Sequence, residues 1–252
     1  MTLSVDLNAD MGESFGPWTM GEDAALLDIV TSANIACGFH AGDPDVMART
    51  MALAAEKGVG IGAHPGFDDL QGFGRRRIKL PHETLANLVR YQVAAAVGMA
   101  SAAGAQLAHV KLHGAMSNMA SEDGEMARVA YAAAAQAAPD VPMVVLAATL
   151  QQAACEALGL PYAAEIFADR AYEEDATLVD RSKPGAMIHD PTEAAARMVA
   201  MVKAGAILTA SGKRIETRID TICCHGDTPA AVEIARRTKQ ALLAAGISVQ
   251  RF

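Results

Sequence analysis

Apolar residues fall in short runs along this chain, and each run ends in a polar cluster before a helical pattern takes over. The runs at 3–8, 33–39, 59–63, 107–112, 143–147, 163–168 and 221–224 are too short for helices and predict seven strands. Ala-rich amphipathic stretches at 46–57, 83–103, 125–138, 192–204 and 230–245 predict the helices between them. Asp43-Pro44, Asp190-Pro191 and Thr228-Pro229 each set a capping oxygen before a proline at the first helical position, and Glu193 adds a capping-box carboxylate. Gly58, Gly104 and Gly246 stand where helices should end.

Strands that alternate with helices pair in parallel through helical crossovers. An open doubly wound sheet and a closed barrel both satisfy this, and both place function at the carboxyl ends of the strands. An open sheet concentrates its site at one switch point. Here nearly every strand ends in polar residues, which favours an α/β barrel of parallel strands. No Pro-, Gly- or Ser-rich linker divides the chain, so residues 1–252 read as one domain. Segments 67–80 and 169–190 lack a helical period and predict long loops at the functional end, where they would serve as lids. Residues 207–219 read as a hairpin around Ser211-Gly212.

Composition narrows the function. Of 252 residues, 52% are apolar and 20% charged, which suits a packed core and excludes disorder. The net charge of −8 argues against nucleic acid as a partner, and Arg75-Arg76-Arg77 is too short to form such a surface. No apolar stretch is long enough to span a membrane, and no signal peptide is evident. Cys37, Cys155, Cys223 and Cys224 lack metal or redox spacing and read as small buried residues of a cytoplasmic protein. The run Gly58-Val-Gly-Ile-Gly-Ala63 spells a dinucleotide fingerprint, but its glycines lie before or within a strand and no helix follows. The methionines at 47, 51, 198 and 201 have helical spacing and belong in the core.

The candidate chemistry sits at the strand ends. His40, His64, His113 and His225 each follow a strand with a glycine nearby, which predicts joint participation in one pocket, whereas His82, His109 and His189 read as structural. Asp10 and Glu13 follow the first strand and offer a carboxylate pair for acid–base work. Strand alternation puts Lys111 and His113 on one face, the lumen of a barrel, where a lysine needs an anion. Asp169 and Arg170 end the sixth strand, and the guanidinium can grip a carboxylate or phosphate. Asp227 precedes a helix N-terminus that can face an anion.

These residues lie in motifs that resemble the LamB/YcsF family: LNADMGESFG (7–16), ANIACGFHAGD (33–43), GAHPGF (62–67), GFGRR (72–76), VKLHGA (110–115), residues 165–184, and HGDTP (225–229). The resemblance covers essentially the whole chain. One departure is visible: Leu112 and Met116-Ser117 stand where the family carries Pro and Leu-Tyr, a change expected to alter pocket shape or a partner contact.

The resemblance implies an incomplete seven-stranded β/α barrel, shared with some sugar deacetylases. It implies an ATP-dependent amidohydrolase that opens the lactam of 5-oxoproline to L-glutamate, using ATP with Mg²⁺ and two further subunits, B and C. Contacts between copies of the chain are a further expectation. In that setting Asp10 or Glu13 would be the base, with His40 and His64 orienting water or passing protons. Lys111 and Arg170 would stabilise phosphate or substrate carboxylate, with Asn8, Arg75, His113, His225 and Asp227 completing the site. An alternative is a metal-dependent deacetylase of N-acetylated sugars, with Asp10, His40, His64 and His113 holding one divalent ion. A third reading is an inert barrel that only binds substrate for subunits B and C.

Overall fold

The computed structural model describes residues 3–225 and 231–252. Asp227 and the Thr228-Pro229 cap lie outside the described residues. The elements follow in the order β1 (Ser4–Met11), α1 (Asp23–Leu27), β2 (Ser32–Ala36), α2 (Pro44–Glu56), β3 (Gly60–His64), α3 (His82–Ala102), β4 (Leu107–Lys111), α4 (Gly114–Glu122), α5 (Gly124–Ala137), β5 (Met143–Leu146), α6 (Leu150–Leu158), β6 (Tyr162–Phe167), α7 (Pro191–Ala204), β7 (Ala206–Leu208), β8 (Arg214–Glu216), β9 (Thr221–Cys224), α8 (Ala231–Ala244) and β10 (Ser248–Val249).

The seven strands expected from the sequence close on one another. β1 through β6 pair in sequence, β6 pairs β9, and β9 returns to β1, every pair parallel. The fold is therefore an α/β barrel one strand short of the eightfold form. The two-residue β10 pairs with the first residues of β1, Ser4 and Val5, beside that closure. β7 and β8 form the antiparallel hairpin expected near 207–219.

The caps behave as their chemistry requires. Asp43 accepts from the Val46 amide ahead of α2, and Asp190 accepts from the Thr192 and Glu193 amides ahead of α7. Gly58, Gly104 and Gly246 follow α2, α3 and α8 with positive φ. Three helices escaped the hydrophobic pattern. α1, α4 and α6 are only five to nine residues long, too short to establish a period. α6 is nevertheless capped by Thr149, which accepts from Gln151, and closes on Gly159 in the left-handed region.

Strand alternation divides the barrel into two chemistries. On β1, Val5, Leu7, Ala9 and Met11 join the apolar layer under the helices, together with Met47, Met51, Met198 and Met201. The intervening Asp6, Asn8 and Asp10 are buried and hydrogen-bonded to one another's neighbours across the lumen. The adjacent cysteines split in the same way: Cys224 packs in the outer core, while Cys223 reaches Lys111. All four cysteines are free and buried. Among the described residues, no helix is long and apolar enough to cross a membrane.

Candidate active site

The polar lumen is built in layers. Deepest, Asp6 accepts from Thr31, Ser32 and Thr221. Above it, Asn8 donates to Glu165 (2.9 Å) and Thr221 (2.7 Å), and its carbonyl accepts from Asn34 (2.7 Å). His109 Nε2 donates to the Asn34 carbonyl at 2.6 Å. The His109 ring occupies the space a side chain at position 62 would need: a Cβ on Gly62 would lie 2.0 Å from Nε2. This explains Gly62, the last glycine of the 58–62 run, without any nucleotide.

Lys111 crowns this network. Its Nζ lies 2.8 Å from Glu165, 3.1 Å from Asp10, 3.2 Å from the Asn8 carbonyl and 3.0 Å from Cys223 Sγ. Burial alone would pull the ammonium down, but Asp10, then Cys223 and Glu165, overcome it and hold Lys111 well above the usual lysine range. Burial also opposes ionisation of Asp10, yet His64 and Lys111 keep its carboxyl well below the usual carboxylate range. Burial raises Glu165, with Lys111 opposing. Asp10 is thus a fixed anion.

Over this floor opens a cavity of 340 Å³. Asp10, His64, Lys111, His113 and His225 line its base, and Arg75, Arg170 and Arg181 its walls. The two segments expected to be lids supply much of that wall. Residues 67–80 contribute Arg75, while Asp69 in the same segment accepts from the Gly72 amide and Arg76 and holds the loop in shape. Residues 169–190 contribute Arg170, Leu178, Asp180, Arg181 and Ser182. Ser117, at the departure from the family motif, also faces the cavity, and its hydroxyl and carbonyl are held by Gln151.

On one side, His225 Nδ1 donates to Asp169 at 2.8 Å, while His225 Nε2 accepts from Arg181 at 3.3 Å. Against the effect of burial, His225 and the neighbouring arginines lower the Asp169 carboxyl. Arg170 donates to the Val179 carbonyl, but its Nε is buried without a hydrogen-bond partner among the described residues. Burial and then Arg181 pull the Arg170 guanidinium down to about 10. On the other side, His40, His64, His113 and Glu13 form a compact buried cluster. The rings of His40 and His113 stack at 3.6 Å, and burial, with the neighbouring imidazoles, holds both well below the usual histidine range. Gly74 (φ +61) lets the 67–80 segment pass against this stack, since a Cβ there would lie 2.6 Å from that of His40.

The structure thus brings Asp10, His64, Arg75, Lys111, His113, Arg170 and His225 to one cavity. Asn8, Glu13 and His40 lie behind its wall, with the Asn8 amide spent on the lumen network. Asp10 groups with Cys223 and His225, while Glu13 joins the three histidines. Asn34, Glu165, Cys223 and Arg181 were not singled out as site residues. Glu165 had a signal, a lone acid inside an apolar strand, and Asn34 another, since polar residues inside a strand mark a polar lumen. Arg181 sits in an irregular loop and had none.

A closed barrel with acid–base groups gathered at the carboxyl ends of its strands defines the class: this is a β/α-barrel enzyme. The LamB/YcsF family profile matches residues 5–252, and the chain belongs to that family. It is 64% identical over 248 residues to the 5-oxoprolinase A subunit of Ruegeria pomeroyi, covering 98% of each chain. It is 55% identical over 250 residues to the 5-oxoprolinase A subunit of Rhodopseudomonas palustris strain BisB18, covering 99% of this chain and 98% of that one. The crystal structure of a lactam utilization protein from Thermus thermophilus superposes with a TM-score of 0.93 at 42% identity, over 99% of this chain and all of that one.

Proposed function

We propose that this chain is the A subunit of an ATP-dependent 5-oxoprolinase, opening the lactam of 5-oxo-L-proline to L-glutamate as ATP becomes ADP and phosphate. The observation that carries this reading is the near full-length identity to the A subunits of 5-oxoprolinases. It acts as one domain, 1–252, in the cytoplasm with subunits B and C, and uses ATP with Mg²⁺.

The cavity suits the reaction. A five-membered lactam is a stable amide with a poor leaving group, so phosphorylation of the amide oxygen activates its carbon. One water adds to that carbon and the C–N bond of the ring breaks as the ring nitrogen takes a proton, leaving an acyl phosphate. A second water adds to the same carbon and the C–O bond to phosphate breaks, releasing glutamate and phosphate. Lys111, Arg75, Arg170 and Arg181 supply fixed positive charge for phosphoryl oxygens and the substrate carboxylate. Asp10 is held too firmly ionised to be a strong base at neutral pH, so it orients the lactam N–H or the water by accepting a hydrogen bond. His225, its tautomer set by Asp169, moves the proton at Nε2.

The test is reconstitution. The chain, mixed with the B and C subunits encoded by the same organism, should release glutamate from 5-oxoproline only when ATP is present. A complete mixture that forms no glutamate contradicts the reading.

A further inference from the structure

His64 and His113 face each other through nitrogens that neither can protonate as a neutral ring. Nδ1 of His64 lies 2.7 Å from the Lys111 carbonyl, and Nε2 of His113 lies 2.8 Å from the Phe73 carbonyl. A carbonyl only accepts, so these two nitrogens carry the ring protons. The opposite nitrogens, Nε2 of His64 and Nδ1 of His113, are then lone pairs, yet they sit 3.0 Å apart in a buried wall. Two lone pairs at that distance repel unless a positive centre joins them.

Other groups converge on the same point. A Glu13 carboxylate oxygen lies 3.9 Å from His113 Nδ1 and 3.9 Å from His40 Nε2. His40 is 1% exposed, and neither of its ring nitrogens has a hydrogen-bond partner among the described residues. The four ligand atoms all lie within 4.8 Å of one another.

We propose that His64, His113 and Glu13, with His40 as the fourth ligand, form a binding site for one divalent transition-metal ion of the Zn²⁺ or Co²⁺ type. Ligand atoms around a tetrahedral ion with bonds near 2.0–2.1 Å stand about 3.4 Å apart, and the 3.0 and 3.9 Å separations bracket that value. Three imidazoles and one carboxylate suit these borderline ions, whereas Mg²⁺ and Ca²⁺ prefer oxygen alone. The carbonyls on the far nitrogens of His64 and His113 fix tautomer and ring orientation, as outer partners of metal-bound histidines do. Phe73 presents its carbonyl from a left-handed backbone (φ 54) that a non-glycine residue adopts only when its surroundings hold it there. His64 and His113 also line the 340 Å³ cavity, and since four protein ligands close a tetrahedral ion, an ion here would fix this wall of the cavity in place. The inference rests on the cluster and not on the 5-oxoproline reading.

The competing arrangement is an extra proton on His64 Nε2, shared with His113 Nδ1 and with the Asp10 carboxylate oxygen 3.4 Å away. Titration of the purified, chelator-stripped full chain with Co²⁺ separates the two. The expected result is saturable uptake of one ion per chain, with visible d–d bands of a low-coordinate site that Zn²⁺ abolishes. Glu13→Gln and His64→Asn should weaken uptake at least about 100-fold, while the exposed His82→Asn should leave it unchanged. Circular dichroism confirms that each variant is folded, and Glu13→Gln, nearly equal in size to the native side chain, carries the test if His64→Asn is not. Absence of saturable Co²⁺ uptake by the native chain, or uptake unaltered in folded Glu13→Gln, overturns the proposal.

Discussion

Asp169 holds His225 from below, with both carboxylate oxygens 2.8 Å from Nδ1, so that Nε2 is left to face Arg181 and the cavity. Two residues from different strand ends thereby form one acid–base unit. Replacing Asp169 with Asn lets the wrong tautomer form while leaving the fold in place. Turnover in the reconstituted complex should fall by roughly 10²–10⁴-fold. An unchanged rate in Asp169→Asn would remove the pair from the chemistry.

The Lys111 network is a buried charge cluster, and breaking one side of it leaves the other uncompensated. Lys111→Met strands Asp10 and Glu165 and should cost about 3–5 kcal/mol of stability in urea unfolding. The double variant Lys111→Met/Glu165→Gln should recover part of that loss. A double variant less stable than the single one would contradict this view of the cluster.

The glycines of β3 carry a steric prediction. Gly62→Ala drives a methyl group into the His109 ring and should destabilise by about 1–3 kcal/mol or more, since overpacking forces the ring or the strand to move. A Cβ at Gly98 in α3 would meet nothing within 4 Å among the described residues, so Gly98→Ala should instead stabilise by up to about 1 kcal/mol. Thermal melts of the two variants check both signs.

His109 gives a pH dependence. Burial, with Lys111 nearby, lowers its folded-state pKa to about 3, far below the ordinary histidine value. A histidine kept neutral in the fold but protonated when unfolded makes stability rise with pH, and that stability drains away as pH falls below the unfolded value near 6.5. The raised carboxyls of Asp6 and Glu165 work in the opposite sense. The difference between the native chain and His109→Gln isolates the histidine. It should move by about 1 kcal/mol in favour of the variant between pH 6 and pH 5. A pH-independent difference would mean that His109 is charged in the fold or absent from the linkage.

Much of this was legible in the chain. The barrel strands, the long helices and the hairpin follow from apolar runs and caps such as Asp43-Pro44, because those signals are local. α4 and α6 were not legible, since nine residues give too few turns for a period to emerge. His64, His113 and Lys111 stand directly after or at the end of apolar runs, and that position alone places them at a strand's carboxyl end. What the sequence does not carry is the sorting among them. That Glu13 sits among the three histidines while Asp10 reaches both Lys111 and His64 depends on the side chains' directions across a closed barrel. Arg181 reaches His225 from a loop with no regular period, so nothing before the folded structure connects the two.

The role of the cavity floor is best tested by the rate of glutamate formation, with ADP measured alongside, in complexes carrying either the native chain or Asp10→Asn. Asn keeps the size of the side chain and removes the fixed negative charge at the floor. The native complex should produce glutamate and ADP in matched amounts, and the variant should lose glutamate formation while still folding and assembling. A near-native rate of glutamate formation from the Asp10→Asn complex would contradict the assignment of this cavity as the place where the lactam opens.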